Sequence, residues 1–400
     1  MIEDEKDRKI SRLSIVETVV VILSITFFIR ASNNMLQTSI PLLVRYDFNF
    51  TQTDVGIIAA LSSAMTFITT ALLNARLNSR SRRRAFILSN VIYTVVFIGF
   101  WGANYISIWV LAAIAGAVFG LMIPNLVTAA GLFKDTAVRE RALSLYTLSL
   151  SLSLVAGPAV ESYLLKFYPL RTVFILFVSF AASSTLLSPL IRFPEESRKM
   201  QKGNVLRNYG FRSAILNIVA YNVPFSMIVA FAGIYEKETF DISLSLVTLL
   251  FSFFFLSSFL SRLFLSIKPP RNIKLLMIVA MVMSTAGILL MVISTNISTF
   301  IVALVILGIP HGLTYPLSVL SIARSFDPGS RNVANSYFFS IMMAIGILLP
   351  LIGGPLIEFY GFKLTFGLIL LFIVLVMLML SLNFLAEKKM KDNSALVKTG

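Results

Sequence analysis

Twelve apolar runs, each long enough to cross a bilayer, constrain this chain more than any other feature. They lie near 14–44, 52–75, 85–103, 106–133, 138–166, 171–191, 213–235, 243–267, 273–295, 298–324, 332–359 and 363–386. Crossing the hydrocarbon as a helix takes roughly 20 apolar residues. The runs are continuous rather than alternating, which excludes a membrane barrel. Only 13% of the 400 residues are charged, against about 25% in soluble domains. The chain reads as an all-α polytopic membrane protein with twelve transmembrane helices.

One stretch occurs twice. Gly116-x3-Gly120-x3-Pro124, then Asp135-x3-Arg139-x2-Ala142, returns 192 residues later as Gly308-x3-Gly312-x3-Pro316, then Asp327-x3-Arg331-x2-Ala334. Eight positions, these six among them, agree over a 27-residue window without a gap. The sequence therefore predicts two pseudo-symmetric six-helix bundles, at 14–191 and 213–386. A polar linker at 192–212 joins them, with tails at 1–13 and 387–400.

The net charge of +15 invites a nucleic-acid reading, which its distribution removes. With the N-terminus inside and each span reversing sides, only Arg45, Lys166, Arg171, Lys237 and Lys363 fall in outer loops, and Arg30 inside a span. All other Lys and Arg residues fall in inner segments, the positive-inside bias of a membrane protein. Both termini are expected in the cytoplasm. There is no cysteine, hence no disulfide framework or thiolate metal site. Residues 1–13 carry no small-residue cleavage site and the run after them exceeds a signal-peptide core, so the first span is expected to stay attached.

Polar residues within the spans are the candidate site. Arg30, Asn33, Asn34 and Gln37 follow i, i+3, i+4, i+7, which places them on one helical face. Arg30 either binds substrate or bonds helix carbonyls that fix its neighbours. Asn222, 192 residues after Arg30, lies beside Tyr221 on the seventh span, which also carries Asn217. Asn125 adjoins the repeated Pro124. His311 is the single histidine and serves either as a proton carrier or as a packed ring, with Tyr315 one turn on. Thr51-Gln52-Thr53-Asp54 reads as a helix cap. Gly157-Pro158-x2-Glu161 recurs as Gly354-Pro355-x2-Glu358. The two glutamates are expected to pair at the interface with Lys166, Arg171 or Lys363; the alternative is a proton-titrating role.

Six plus six spans, a basic central linker, inner termini and a half-length repeat together resemble the major facilitator superfamily of secondary transporters. That resemblance implies a substrate site near the midplane between halves that rock around it. Ser81-Arg82-Arg83-Arg84 resembles the basic end of the family's loop signature between spans 2 and 3, with Asn74 and Asn78 where Gly and Asp stand. The Asp135/Arg139 and Asp327/Arg331 pairs resemble its acid-then-Arg loop elements. The resemblance gives Asn78, Arg82 and these four residues a gating role. Gly157-Pro158 resembles the centre of an antiporter signature, which implies export of a drug-efflux kind.

No phosphate-binding glycine loop and no metal-spaced acid or histidine cluster is present, so enzyme chemistry, cofactor and metal are not expected. The sequence points to a monomeric plasma-membrane carrier of a small organic solute, embedded in lipid, coupled to protons and binding no nucleic acid. Organic-anion or sugar uptake is the alternative within that class. A lipid scramblase or a non-transporting receptor is the alternative outside it.

Overall fold

The computed structural model describes residues 2–130, 133, 135–191, 193, 205–267, 270–326 and 328–399. Most of the 192–212 linker and Asp327 lie outside the described residues, as does the side chain of Arg331. Among the described residues there is no strand. Eleven helices are long and apolar enough to cross a membrane. The last of these, Val333–Met390, has 58 residues, about 87 Å at 1.5 Å per residue. That far exceeds one bilayer of roughly 30 Å. Gly361, at φ 78°, breaks it into two arms, and Ile341 and Leu382 from the two arms line one groove. The chain doubles back at that glycine, which provides the eleventh and twelfth spans.

The helices are α1 (Ile2–Asp47), α2 (Gln52–Ile68), α3 (Ser79–Trp101), α4 (Ser107–Ala130), α5 (Thr136–Leu164) and α6 (Leu170–Leu187), followed by α7 (Tyr209–Met227), α8 (Gly233–Phe240), α9 (Leu244–Ile267), α10 (Ile273–Ile293), α11 (Ile297–Ser325) and α12 (Pro328–Thr399). Their starts are written in local chemistry. Asn78, Asp135, Asn208, Asn272 and Asn296 each accept a bond from a backbone N–H three residues on, at 2.8–3.1 Å. Such caps satisfy donors that the first helical turn leaves open. Thr51 and Asp54 cap α2 reciprocally, at 3.2 and 3.1 Å, as the sequence predicts. Spans 2 and 7 are each extended by a π-helical turn, Thr69–Leu73 after α2 and Ile228–Ala232 between α7 and α8.

The chain forms two compact units, Met1–Asn49 with Leu61–Ser197, and Phe50–Ala60 with Arg198–Gly400. In unit 1, α1 packs on α5 and α6, and α3 on α4 and α6. Unit 2 repeats this order: α7 packs on α12, and α10 on α11 and α12. The repeated glycines show why the sequence recurs. A Cβ on Gly116 or Gly120 would strike the backbone carbonyls of Ser62 or Thr66. On Gly308 or Gly312 it would strike those of Phe254 or Ser258. Every pair is 54 residues apart, so the same close helix crossing is built twice, 192 residues apart. Small residues are what permit backbones to approach so closely in lipid.

Candidate functional site

In unit 1 the site begins at Arg30, half-buried on α1. Its guanidinium lies over the Phe119 ring of α4, 5.6 Å from the centroid. Among the described residues Nε has no hydrogen-bond partner, and no carboxylate forms an ion pair with it. The phenols of Tyr146 and Tyr93 lie nearby. Ser32 donates to the Tyr93 hydroxyl at 3.4 Å. This is an aromatic cradle around a cation, a geometry that stabilises charge without neutralising it.

The neighbours of Arg30 are not spread evenly along one face. Asn33 and Asn34 are buried, whereas Gln37 is exposed. Asn34 donates to the carbonyl of Leu154 on α5 at 2.8 Å. In unit 2 the equivalent bond runs from Asn222 to the carbonyl of Met342 at 3.2 Å, with the same sequence separation of 120. By bonding, Asn222 therefore corresponds to Asn34, one helical turn away from the correspondence with Arg30 that the 192-residue repeat gives. Asn125 is buried and donates to Asn74 at 2.9 Å. It ties α4 to the end of the second span.

Glu161 corrects the expectation of interfacial pairing. It is fully buried and accepts bonds from the hydroxyls of Thr38, at 3.1 Å, and Ser39 on α1. Arg171 is engaged elsewhere, with Asp47 at 2.6 Å and the carbonyl of Ala103 at 2.8 Å. Glu358 is exposed and accepts from the backbone N–H of Thr53 at 3.0 Å. The two Gly-Pro-x2-Glu runs are thus alike in letters and different in place. They stand 197 residues apart, five out of register with the 192-residue repeat. Five residues rotate a helix by about 140°, onto another face.

In unit 2 the polar cluster centres on His311. Its Nδ1 lies 2.8 Å from the Ser258 hydroxyl. Phe225 stacks on the ring at 4.5 Å, and Tyr221, Phe254 and Phe255 surround it at 5.4–5.7 Å. The Tyr221 hydroxyl donates to the carbonyl of Leu307 at 3.2 Å. Asn217 bonds the Thr314 carbonyl and Ser318, at 3.0 and 2.9 Å. Tyr315 packs on Phe338 and Phe339.

Two charged residues here escape sequence reasoning. Arg262 lies within α9, near the phenols of Tyr221 and Tyr315. The inner-side charge count absorbs it, although the apolar run 243–267 encloses it. Glu236 is fully buried, and neither carboxylate oxygen has a hydrogen-bond partner among the described residues. Ending the seventh span at 235 places it in a loop; the helical run in fact continues to Phe240.

Of the loop residues, Asn78 accepts from the Ser81 N–H at 2.8 Å as the cap of α3. Arg82 in the next turn is buried. Asp135 caps α5 by accepting from Val138 N–H at 3.0 Å, and Arg139 sits one turn further along α5.

Two repeated helical units built from long apolar spans define a multi-pass helical membrane protein. The Major Facilitator Superfamily profile matches residues 22–291 and 215–399, and the chain belongs to that family. No curated protein matches the sequence. Among solved structures it is similar to a bacterial homologue of the human lysosomal transporter Spinster, in an inward-facing and occupied conformation. That match has a TM-score of 0.72 and 14% identity, over 93% of this chain and 96% of the other. The nucleoside transporter NupG matches at TM-score 0.72 and 12% identity, over 92% and 100% of the two chains. The human organic anion transporter MFSD10 matches at 0.68 and 14%, over 92% and 99%. At these identities the likeness shows the fold alone.

Proposed function

We propose that the chain is a proton-coupled secondary transporter that exports a small organic solute by alternating access. The observation that carries this reading is Arg30. A cation within a span costs at least about 2.5–3.5 kcal/mol on insertion scales, and its surroundings here offer aromatic faces but, among the described residues, no ion pair. Such a group is retained when a ligand completes it. The candidate solute-contacting residues are Arg30, Asn33, Asn34, Gln37, Asn125, Tyr221, Asn222, His311 and Tyr315. Glu161 and His311 are the proton carriers, each held by a hydroxyl. Glu358, exposed and bonded to backbone, is the weakest of the three. Asn78, Arg82 and the Asp135/Arg139 and Asp327/Arg331 pairs form the inner gate. The protein works as a monomer in the plasma membrane, with both termini cytoplasmic.

A second reading, uptake of an organic anion, is favoured by the same arginine and by the likeness to a protein described as an organic anion transporter. One experiment separates these readings from each other and from a non-transporting role. Proteoliposomes holding the purified protein are given a pH gradient and offered organic anions, sugars and lipophilic cations. Solute-dependent proton movement is expected, its sign giving the direction. Arg30→Gln is expected to abolish or re-specify it while leaving thermal stability intact. Unchanged KM and kcat in that variant would remove Arg30 from the site.

A further inference from the structure

Unit 2 carries a groove of about 530 Å³ between α7 and the two arms of α12, within the size range of ligand pockets. Leu216, Ile341 and Leu382 are among its apolar walls, and Tyr209, Arg212 and Asn383 stand toward one end. None of its lining residues belongs to the polar cluster around His311, and transport as proposed makes no use of it. We propose that it is a binding site for an anionic phospholipid. One acyl chain lies between the arms of α12, and the phosphate sits on Arg212.

Three observations point to that occupant. First, the groove opens outward along spans: Leu382 and Met379 on its rim are 64% and 48% exposed. In a membrane protein such a surface faces acyl chains. Second, its one charged lining residue is a cation, placed where α7 begins and therefore at headgroup depth. Third, that cation is held in place. The Arg212 Nε donates to the carbonyl of Leu206 at 3.0 Å, and the guanidinium lies 5.8 Å from the Tyr209 ring centroid. Among the described residues it makes no other hydrogen bond, so both terminal nitrogens are left to grip a phosphate in the two-pronged manner of arginine.

The helix carries the charge pattern further. Leu382 and Ala386 line the groove, and Lys389, exposed, follows at i+7 and i+3 on the same face. Basic residues just beyond a span are the usual readers of anionic lipid. The groove thus presents hydrocarbon-sized space in one direction and positive charge at its end, which matches the two parts of such a lipid.

The test uses the full chain, purified in detergent and stripped of lipid. Phosphatidylglycerol, phosphatidylcholine and inorganic phosphate are titrated separately, with thermal unfolding and native mass spectrometry as readouts. Phosphatidylglycerol is expected to bind roughly fivefold or more tightly than phosphatidylcholine, a factor typical of one basic residue. Arg212→Gln should erase that preference, whereas Arg80→Gln, an exposed arginine at the start of α3, should keep it. Leu382→Trp, at an exposed position where folding is not at risk, should fill the groove and weaken both lipids. Equal binding of the two lipids overturns the proposal. So does a preference that survives Arg212→Gln, or lipid binding untouched by Leu382→Trp. Stabilisation by inorganic phosphate alone, to the same extent, would make this a free-anion site and equally overturn it.

Discussion

Asn34 donates its side-chain amide to the backbone carbonyl of Leu154 at 2.8 Å, a bond that helps tie the first span to the fifth. Its counterpart, Asn222 to Met342, ties the seventh to the eleventh. Asn34→Ala and Asn222→Ala should each lower stability by about 0.6–1.7 kcal/mol, the range for side-chain bonds between membrane helices. Reversible unfolding in mixed micelles measures it, and unchanged stability in both variants would contradict the assignment.

The repeated glycines should tolerate nothing larger. Gly116→Ala and Gly308→Ala drive a methyl group into the carbonyls of Ser62 and Phe254, and overpacking of this kind costs about 1–3 kcal/mol. Gly102→Ala, where nothing lies within 4 Å, is the matched control. Thermal unfolding should show two low midpoints and one unchanged.

Glu236 is a buried carboxylate without hydrogen-bond partners among the described residues. A buried carboxyl group without a hydrogen-bond partner carries a desolvation cost that an apolar residue of similar volume does not. Glu236→Met is therefore expected to unfold at the same or a higher temperature. A marked fall would mean that the carboxylate holds a group essential to the fold.

Coupling is expected to fail at Glu161 without loss of the fold. Glu161→Gln keeps a carbonyl oxygen able to accept from Thr38 and Ser39 but removes the group that carries the proton. Counterflow of solute without a gradient should continue, while solute-driven proton movement in proteoliposomes should disappear. His311→Asn, which keeps a polar group toward Ser258, is the parallel test. Proton movement that persists in both variants would place coupling elsewhere.

Architecture was legible in the sequence because apolar length and a 192-residue repeat are both local and countable. The glycine spacing even carries the helix crossings, since only close backbone approach requires Gly at those places. What the sequence could not give was rotation about the helix axis. Gly-Pro-x2-Glu looks like a repeat, yet five residues of offset bury Glu161 and expose Glu358. Arg30 stands out from the sequence because it interrupts a long apolar run. Arg262 and Glu236 lie close enough to span ends to pass for loop charges. Only the continuation of the helices around them shows otherwise.

The turn at Gly361 has a bearing on how the protein is made. One residue of positive φ reverses the chain between two spans, leaving no loop to pay out between them. The eleventh and twelfth spans are therefore joined as one helical hairpin, suited to enter the bilayer as a unit. Phe359 and Tyr360, 78% and 62% exposed, sit at its tip as an aromatic anchor at the water boundary. A ribosome pause or a truncation just after this glycine would strand a half-hairpin, and with it the α7 contact on which unit 2 closes.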